Sequence, residues 1–199
     1  MSIRRPASSL AATGLVALAT PAHAHLMNSG FGPFYDGLAH PLMSPEDLLP
    51  AAAVTLLAGL SGARYGRWVL ATLPAAWLVG MTAGWALALP AAPAPAMAVE
   101  TAVTGALAAS GLRLPLRAVI GWAALLGALH GIGNGGELAA TTGGLLAIVG
   151  IALSLAAVVS LVAGQVAVLQ AHWARLAVRI SGSWIAAIAM LMFGWSMKS

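Results

Sequence analysis

Long apolar runs separated by short polar joints account for most of the chain. The runs cover residues 48–60, 68–89, 97–112, 116–129, 142–169 and 180–195. A helix that crosses a bilayer needs roughly 20 apolar residues, so the pattern predicts six spans. The shorter runs extend into neighbouring small or polar residues, as Ser44 to Leu48 does before the first. Three joints carry two arginines each: Arg64 and Arg67, Arg113 and Arg117, Arg175 and Arg179. The two alternating joints, residues 90–96 and 131–141, carry none. Arginine-bearing joints stay on the cytoplasmic side, so the acids at the other ends of the runs face outward.

Residues 1–24 read differently. Arg4 and Arg5 precede a short apolar stretch at 10–19, and Ala22-His23-Ala24 follows as a small-residue cleavage site. That order is the pattern of a signal peptide. Residues 25–199 are then one six-helix transmembrane domain, with both mature termini in the periplasm of a bacterial inner membrane. Composition agrees: 60% of residues are hydrophobic and 7% charged, against about 25% charged in soluble domains. The expected fold class is an all-α polytopic membrane bundle. The net charge of +4 resides mostly in the joints and sets topology, so it does not point to nucleic acid. There is no cysteine, which excludes thiolate metal sites and disulfides, and no phosphate-binding glycine loop for a nucleotide. Gly80 and Gly84 form a G-x-x-x-G pair suited to close helix packing.

Two polar segments stand out in so apolar a chain. The first holds His25, Asp36, His40, Glu46 and Asp47. Asp36 and His40 are four apart, but Pro41 and Pro45 argue against one continuous helix. Ser44-Pro45-Glu46-Asp47 has the form of a helix start, and acids there are favourable without any ligand. If the signal is cleaved, His25 supplies an amine and an imidazole together. The second segment holds His130, Asn134 and Glu137. Here His130 ends an apolar run, and the glycines of the 131–141 joint permit a broken helix. Imidazole, carboxylate and amide without thiolate suit a divalent transition cation such as Ni, Co, Zn, Mn or Fe. Glu100, in the third run, either lines a path or snorkels outward. His172 is expected at the opposite, cytoplasmic interface. Thr101, Thr104, Ser110, Ser154, Ser160 and Gln165 are candidate polar steps across the bundle.

The chain resembles the HupE/UreJ family of bacterial nickel/cobalt permeases. Leu38-Ala39-His40-Pro41-Leu42, followed by acids and Leu48-Leu49, is similar to the family's H-P-x-x-G-x-D-H-L-L stretch. His130-Gly131 with Gly135-Gly136-Glu137 is similar to its H-G-x-x-H-G-x-E. This sequence departs where the family has Asp-His, here Glu46-Asp47, and where the second motif has its later histidine, here Asn134. Ser160 or Gln165 stands in the region where the family often has a histidine in the fifth span. The resemblance implies uptake of a divalent transition metal from the periplasm, Ni2+ or Co2+, with His25, Asp36, His40, Glu46, Asp47, His130, Asn134 and Glu137 as the candidate metal residues. Fewer imidazoles than the family shift the expected preference toward a harder cation, Mn2+, Fe2+ or Zn2+. The implied partners are the metal ion and the lipid bilayer. Two other readings use the same ligands: a non-transporting metal-binding accessory, and an intramembrane metal-dependent hydrolase. No H-E-x-x-H or comparable signature supports an enzyme.

Overall fold

A computed structural model describes residues 29–198. The expected signal peptide and His25 lie outside the described residues. Among those described, the chain is all helix with no strand: α1 (Pro33–Met43), α2 (Pro45–Ser61), α3 (Ala63–Leu87), α4 (Ala94–Ser110), α5 (Leu116–Leu138), α6 (Gly144–Ala167) and α7 (His172–Ser196). Helices α3, α5, α6 and α7 are long and apolar enough to cross a membrane. Helices α2 and α4 have 17 residues each, short of the roughly 20 that a full crossing takes.

The described residues form seven helices, one more than the six runs that the hydropathy pattern gives as spans. The additional one, α1, contains Pro41 two residues before its end. The prolines do break the chain, but at Ser44, which is extended and serves as N-cap of α2 with Pro45 at the first helical position. The Ser44 hydroxyl makes no capping bond; its carbonyl accepts from Asp47 and Leu48 N–H at 3.0 and 2.9 Å. The larger correction concerns the 131–141 joint. Helix α5 does not stop at Leu129 but runs on to Leu138, so His130 and Asn134 sit on a helix rather than in a loop. Four glycines would ordinarily cost such a helix about 1 kcal/mol each.

Tight packing of α5 against α3 offsets that cost. A Cβ on Gly131 or Gly135 would overlap the carbonyls of Trp77 or Met81, and one on Gly127 would lie 2.7 Å from the carbonyl of Leu73. The reciprocal holds for Gly80 and Gly84, whose Cβ atoms would meet the backbone at Ala128 and Ile132. The two backbones therefore touch along three turns, the device by which membrane helices associate when no water drives them together. The α1–α6 pair closes in the same way on Gly37 and Gly150, and α4–α7 on Gly105 and Gly182.

Helix α2 occupies the centre. Val54, Thr55 and Ala58 are fully buried, and α2 contributes to both apolar clusters, one shared with α3, α5 and α6, the other with α4, α7 and the end of α6. A helix apolar all round belongs inside a bundle. The outer shell is apolar too, with Leu146, Leu153, Leu161 and Leu191 all exposed, as a surface facing lipid requires. Exposed Trp173 and Trp195 lie 22 positions apart on α7, about 33 Å at 1.5 Å per residue, and match the two interfacial levels of a bilayer.

Candidate metal site

The helix ends sort the charge. Arg64, Arg67, Arg113, Arg117, Arg175 and Arg179 lie at or near the starts of α3, α5 and α7. Asp36, Glu46, Asp47, Glu100 and Glu137 lie toward the opposite end of the bundle. At that acidic end three helices bring side chains together. Asp47 enters from the first turn of α2, where the helix dipole favours a carboxylate. His40 enters from the last turn of α1, folded back by the break at Ser44. His130 and Asn134, one turn apart, project from one face of α5.

Asp47 is the hub. Its Oδ2 lies 3.1 Å from His40 Nε2 and accepts from Asn134 Nδ2 at 2.7 Å. Its Oδ1 lies 3.3 Å from His130 Nδ1. The other ring nitrogen of His130, Nε2, is 3.3 Å from Glu100 Oε2 on α4. The result is a chain, His40–Asp47–His130–Glu100, carried by four helices. His40, Asp47 and His130 are each at most 5% exposed.

The surrounding groups fix the chain's geometry. Trp77 of α3, fully buried, packs against His130 with ring centres 5.2 Å apart and planes tilted by 31°. Its indole N–H donates to Asn134 Oδ1 at 3.2 Å. An indole nitrogen only donates, so the Asn134 oxygen faces Trp77 and the amide nitrogen faces Asp47 and His40, 2.8 Å from His40 Nε2. The single Thr104 O–H has Glu100 Oε1 at 2.9 Å and the Glu100 carbonyl at 2.8 Å as acceptors. Trp122 donates in turn to Thr104 at 2.9 Å. Among the described residues no buried side-chain N or O lacks a hydrogen-bond partner.

A cavity of about 660 Å³ opens onto this cluster. His40, Glu46, Asp47, His130, Asn134 and Glu137 line one wall, and apolar residues from α4 and α7 line the other. Glu46 and Glu137 are exposed there. Glu100 is not part of the wall; it stands behind His130. Of the sequence candidates, the fold thus gathers His40, Glu46, Asp47, His130, Asn134 and Glu137 around one cavity. It leaves Asp36 apart, half-exposed at the start of α1 and accepting from the Ser29 N–H at 2.6 Å. Ser110, Ser160 and Gln165 are exposed, away from the cluster.

Glu100 faces inward onto His130 rather than outward to the interface. The trace of this in the sequence is that it is the one acid inside an apolar run, with Thr104 one turn on. Trp77 and Trp122 carry no such trace, because seven tryptophans in an apolar chain do not announce which of them donates to a polar side chain.

Asp47 is buried and the Glu100 side chain is 10% exposed, both in an apolar bundle, and among the described residues the only ion-pair partners of either are imidazoles. A buried carboxylate costs several kcal/mol unless it is compensated. Among the described residues no three His, Asp or Glu side chains form a ready-made metal cage; the contacts are pairwise and hydrogen-bonded.

The family model described as HupE / UreJ protein matches residues 13–192. No curated protein and no solved structure matches the chain significantly.

Proposed function

The chain belongs to the HupE/UreJ family, a family linked to nickel/cobalt uptake or to accessory roles in metal handling, and from that premise we propose that it is a permease for a divalent transition-metal cation. The cation enters from the periplasm through the cavity at the acidic end and meets Glu46 and Glu137 first. It then binds between His40, Asp47 and His130, with Glu100 as the next carboxylate inward. Helix α2 at the centre and α4 packed against α2 and α7 act as short spans, giving six crossings of the bacterial inner membrane with α1 packed at the outer side.

One observation carries the reading. Buried Asp47 and largely buried Glu100 flank His130, and among the described residues no Lys or Arg is paired to either carboxylate. Two carboxylates beside neutral imidazoles match a dication in charge, and imidazole with carboxylate is a donor set for Ni, Co, Zn, Mn or Fe. A cation bound there replaces these pairwise hydrogen bonds with coordinate bonds. Asn134 holds Asp47 in place, since its oxygen is turned to Trp77 and an amide nitrogen does not ligate a metal. With His40 and His130 as the imidazoles and oxygen donors for the rest, the site accepts harder divalent cations alongside Ni2+ and Co2+. A membrane potential of 100 mV contributes about 2.3 kcal/mol per charge, so about 4.6 kcal/mol for a dication, enough to drive uptake without a nucleotide.

The test is accumulation of labelled Ni, Co, Zn and Mn in cells that express the wild type, His130→Ala or Asp36→Asn at matched protein levels. His130→Ala abolishes accumulation and Asp36→Asn retains it. Normal accumulation in His130→Ala removes the site. Metal binding by the purified wild type with no accumulation assigns the chain to the accessory role instead.

A further inference from the structure

A second cavity, about 220 Å³, lies at the other end of the bundle, between the C-terminal ends of α2 and α4 and the start of α7. Arg113, Arg175 and Arg179 line it with His172, and leucines from the same three helices make up much of the rest of the wall. No acid lines it.

Part of this arginine cluster has a structural use. Arg175 Nη2 donates to the Leu60 carbonyl at 2.7 Å. Arg179 donates through Nε to Ala109 at 2.7 Å and through Nη2 to Ser110 at 3.1 Å. These bonds cover carbonyls that the ends of α2 and α4 leave without helical partners. They involve one and two of the five N–H groups of each guanidinium and hold both heads half-buried at the cavity wall. The charge remains. Among the described residues no arginine forms a salt bridge with any carboxylate, and the described acids lie toward the opposite end of the bundle. Three permanent cations around one cavity in an apolar chain call for an anion.

We propose that this cavity binds the phosphate headgroup of an anionic phospholipid. Free phosphate satisfies the arginines equally, but it leaves the leucine wall without a partner, whereas a lipid fills it with its glycerol and first methylenes. The level is also that of a membrane surface: Trp68 and Trp173, both exposed, lie at this end, where interfacial tryptophans settle. Basic pockets between helices at the cytoplasmic surface suit anionic headgroups on general electrostatic grounds. The site does not depend on metal transport and stands or falls separately from it.

The experiment titrates the detergent-solubilised full-length protein with phosphatidylglycerol, phosphatidylcholine and inorganic phosphate, read by native mass spectrometry. The wild type retains phosphatidylglycerol in preference to phosphatidylcholine. Arg113→Gln, at an exposed residue that makes no hydrogen bond to other described residues, weakens phosphatidylglycerol retention roughly fivefold, the share of one arginine near a membrane surface. Arg67→Gln, the same charge change at the same end but outside the cavity, leaves it unchanged. Equal retention of the two lipids by the wild type overturns the proposal, and so does an equal loss in both variants. Binding of inorganic phosphate without any lipid preference assigns the cavity to a free anion and overturns it as well.

Discussion

Replacing Gly131 by alanine separates the two helices that frame the site. A Cβ at this position overlaps the Trp77 carbonyl and lies 3.0 Å from Met81 N. Both obstacles are backbone, so no side-chain rotation relieves them, and α3 and α5 must move apart by about 1 Å. Overpacking of this kind costs about 3 kcal/mol at the upper end of its range, and the better helix propensity of alanine returns about 1. The net loss is about 2 kcal/mol, or roughly 4–8 °C in Tm for a chain of this size. The displacement also acts on function, because Trp77 sits on the face that moves and both packs against His130 and holds Asn134. The assay is thermal unfolding in detergent together with metal accumulation in cells. Gly121 and Gly164 serve as controls, since a Cβ at either has no atom within 4 Å; alanine there is neutral or stabilising by up to about 1 kcal/mol. If Gly131→Ala melts with those controls and accumulates metal normally, the α3–α5 contact does not set the site's geometry.

Glu100→Gln keeps the volume and the Thr104 hydrogen bond but removes the inner charge beside His130; charge-assisted bonds contribute about 1.5–3 kcal/mol, so uptake falls roughly tenfold to a hundredfold, and unchanged uptake excludes Glu100 from the path. Trp77→Phe keeps a ring over His130 and deletes the indole N–H, leaving the Asn134 oxygen unsatisfied at about 1–3 kcal/mol. Its Tm and its uptake both drop, and a variant indistinguishable from wild type shows that Trp77 does not orient Asn134.

The charge sorting was legible along the chain, because arginine joints and acid-bearing segments alternate with the apolar runs. The two motif segments were legible as well, since His40, Asp47, His130 and Asn134 are polar residues that a membrane chain keeps only for a reason. The continuation of α5 through Gly131, Gly133, Gly135 and Gly136 was not. Local propensity reads those glycines as a loop, and only contact with the α3 backbone makes them favourable in a helix. Helix α1 was obscured in a comparable way, because Pro41 argues against a helix until its place two residues from the helix end is known. Glu100 was visible as an isolated acid, but its direction depends on the rotation of α4 about its own axis, which α4–α7 packing at Gly105 and Gly182 fixes and which hydropathy does not encode. The separate position of Asp36 was not legible either: it lies one turn before His40 on α1, yet its carboxylate accepts from the Ser29 N–H and does not join the cluster.

The central claim is that His40, Asp47 and His130 hold a divalent cation together, and X-ray absorption of the purified full-length protein loaded with Co2+ or Ni2+ reads that directly. The spectrum shows a first shell of nitrogen and oxygen with two imidazoles, and His130→Gln reduces them to one with fewer metal ions bound. A spectrum and stoichiometry unchanged in His130→Gln place the metal on other residues and contradict the account.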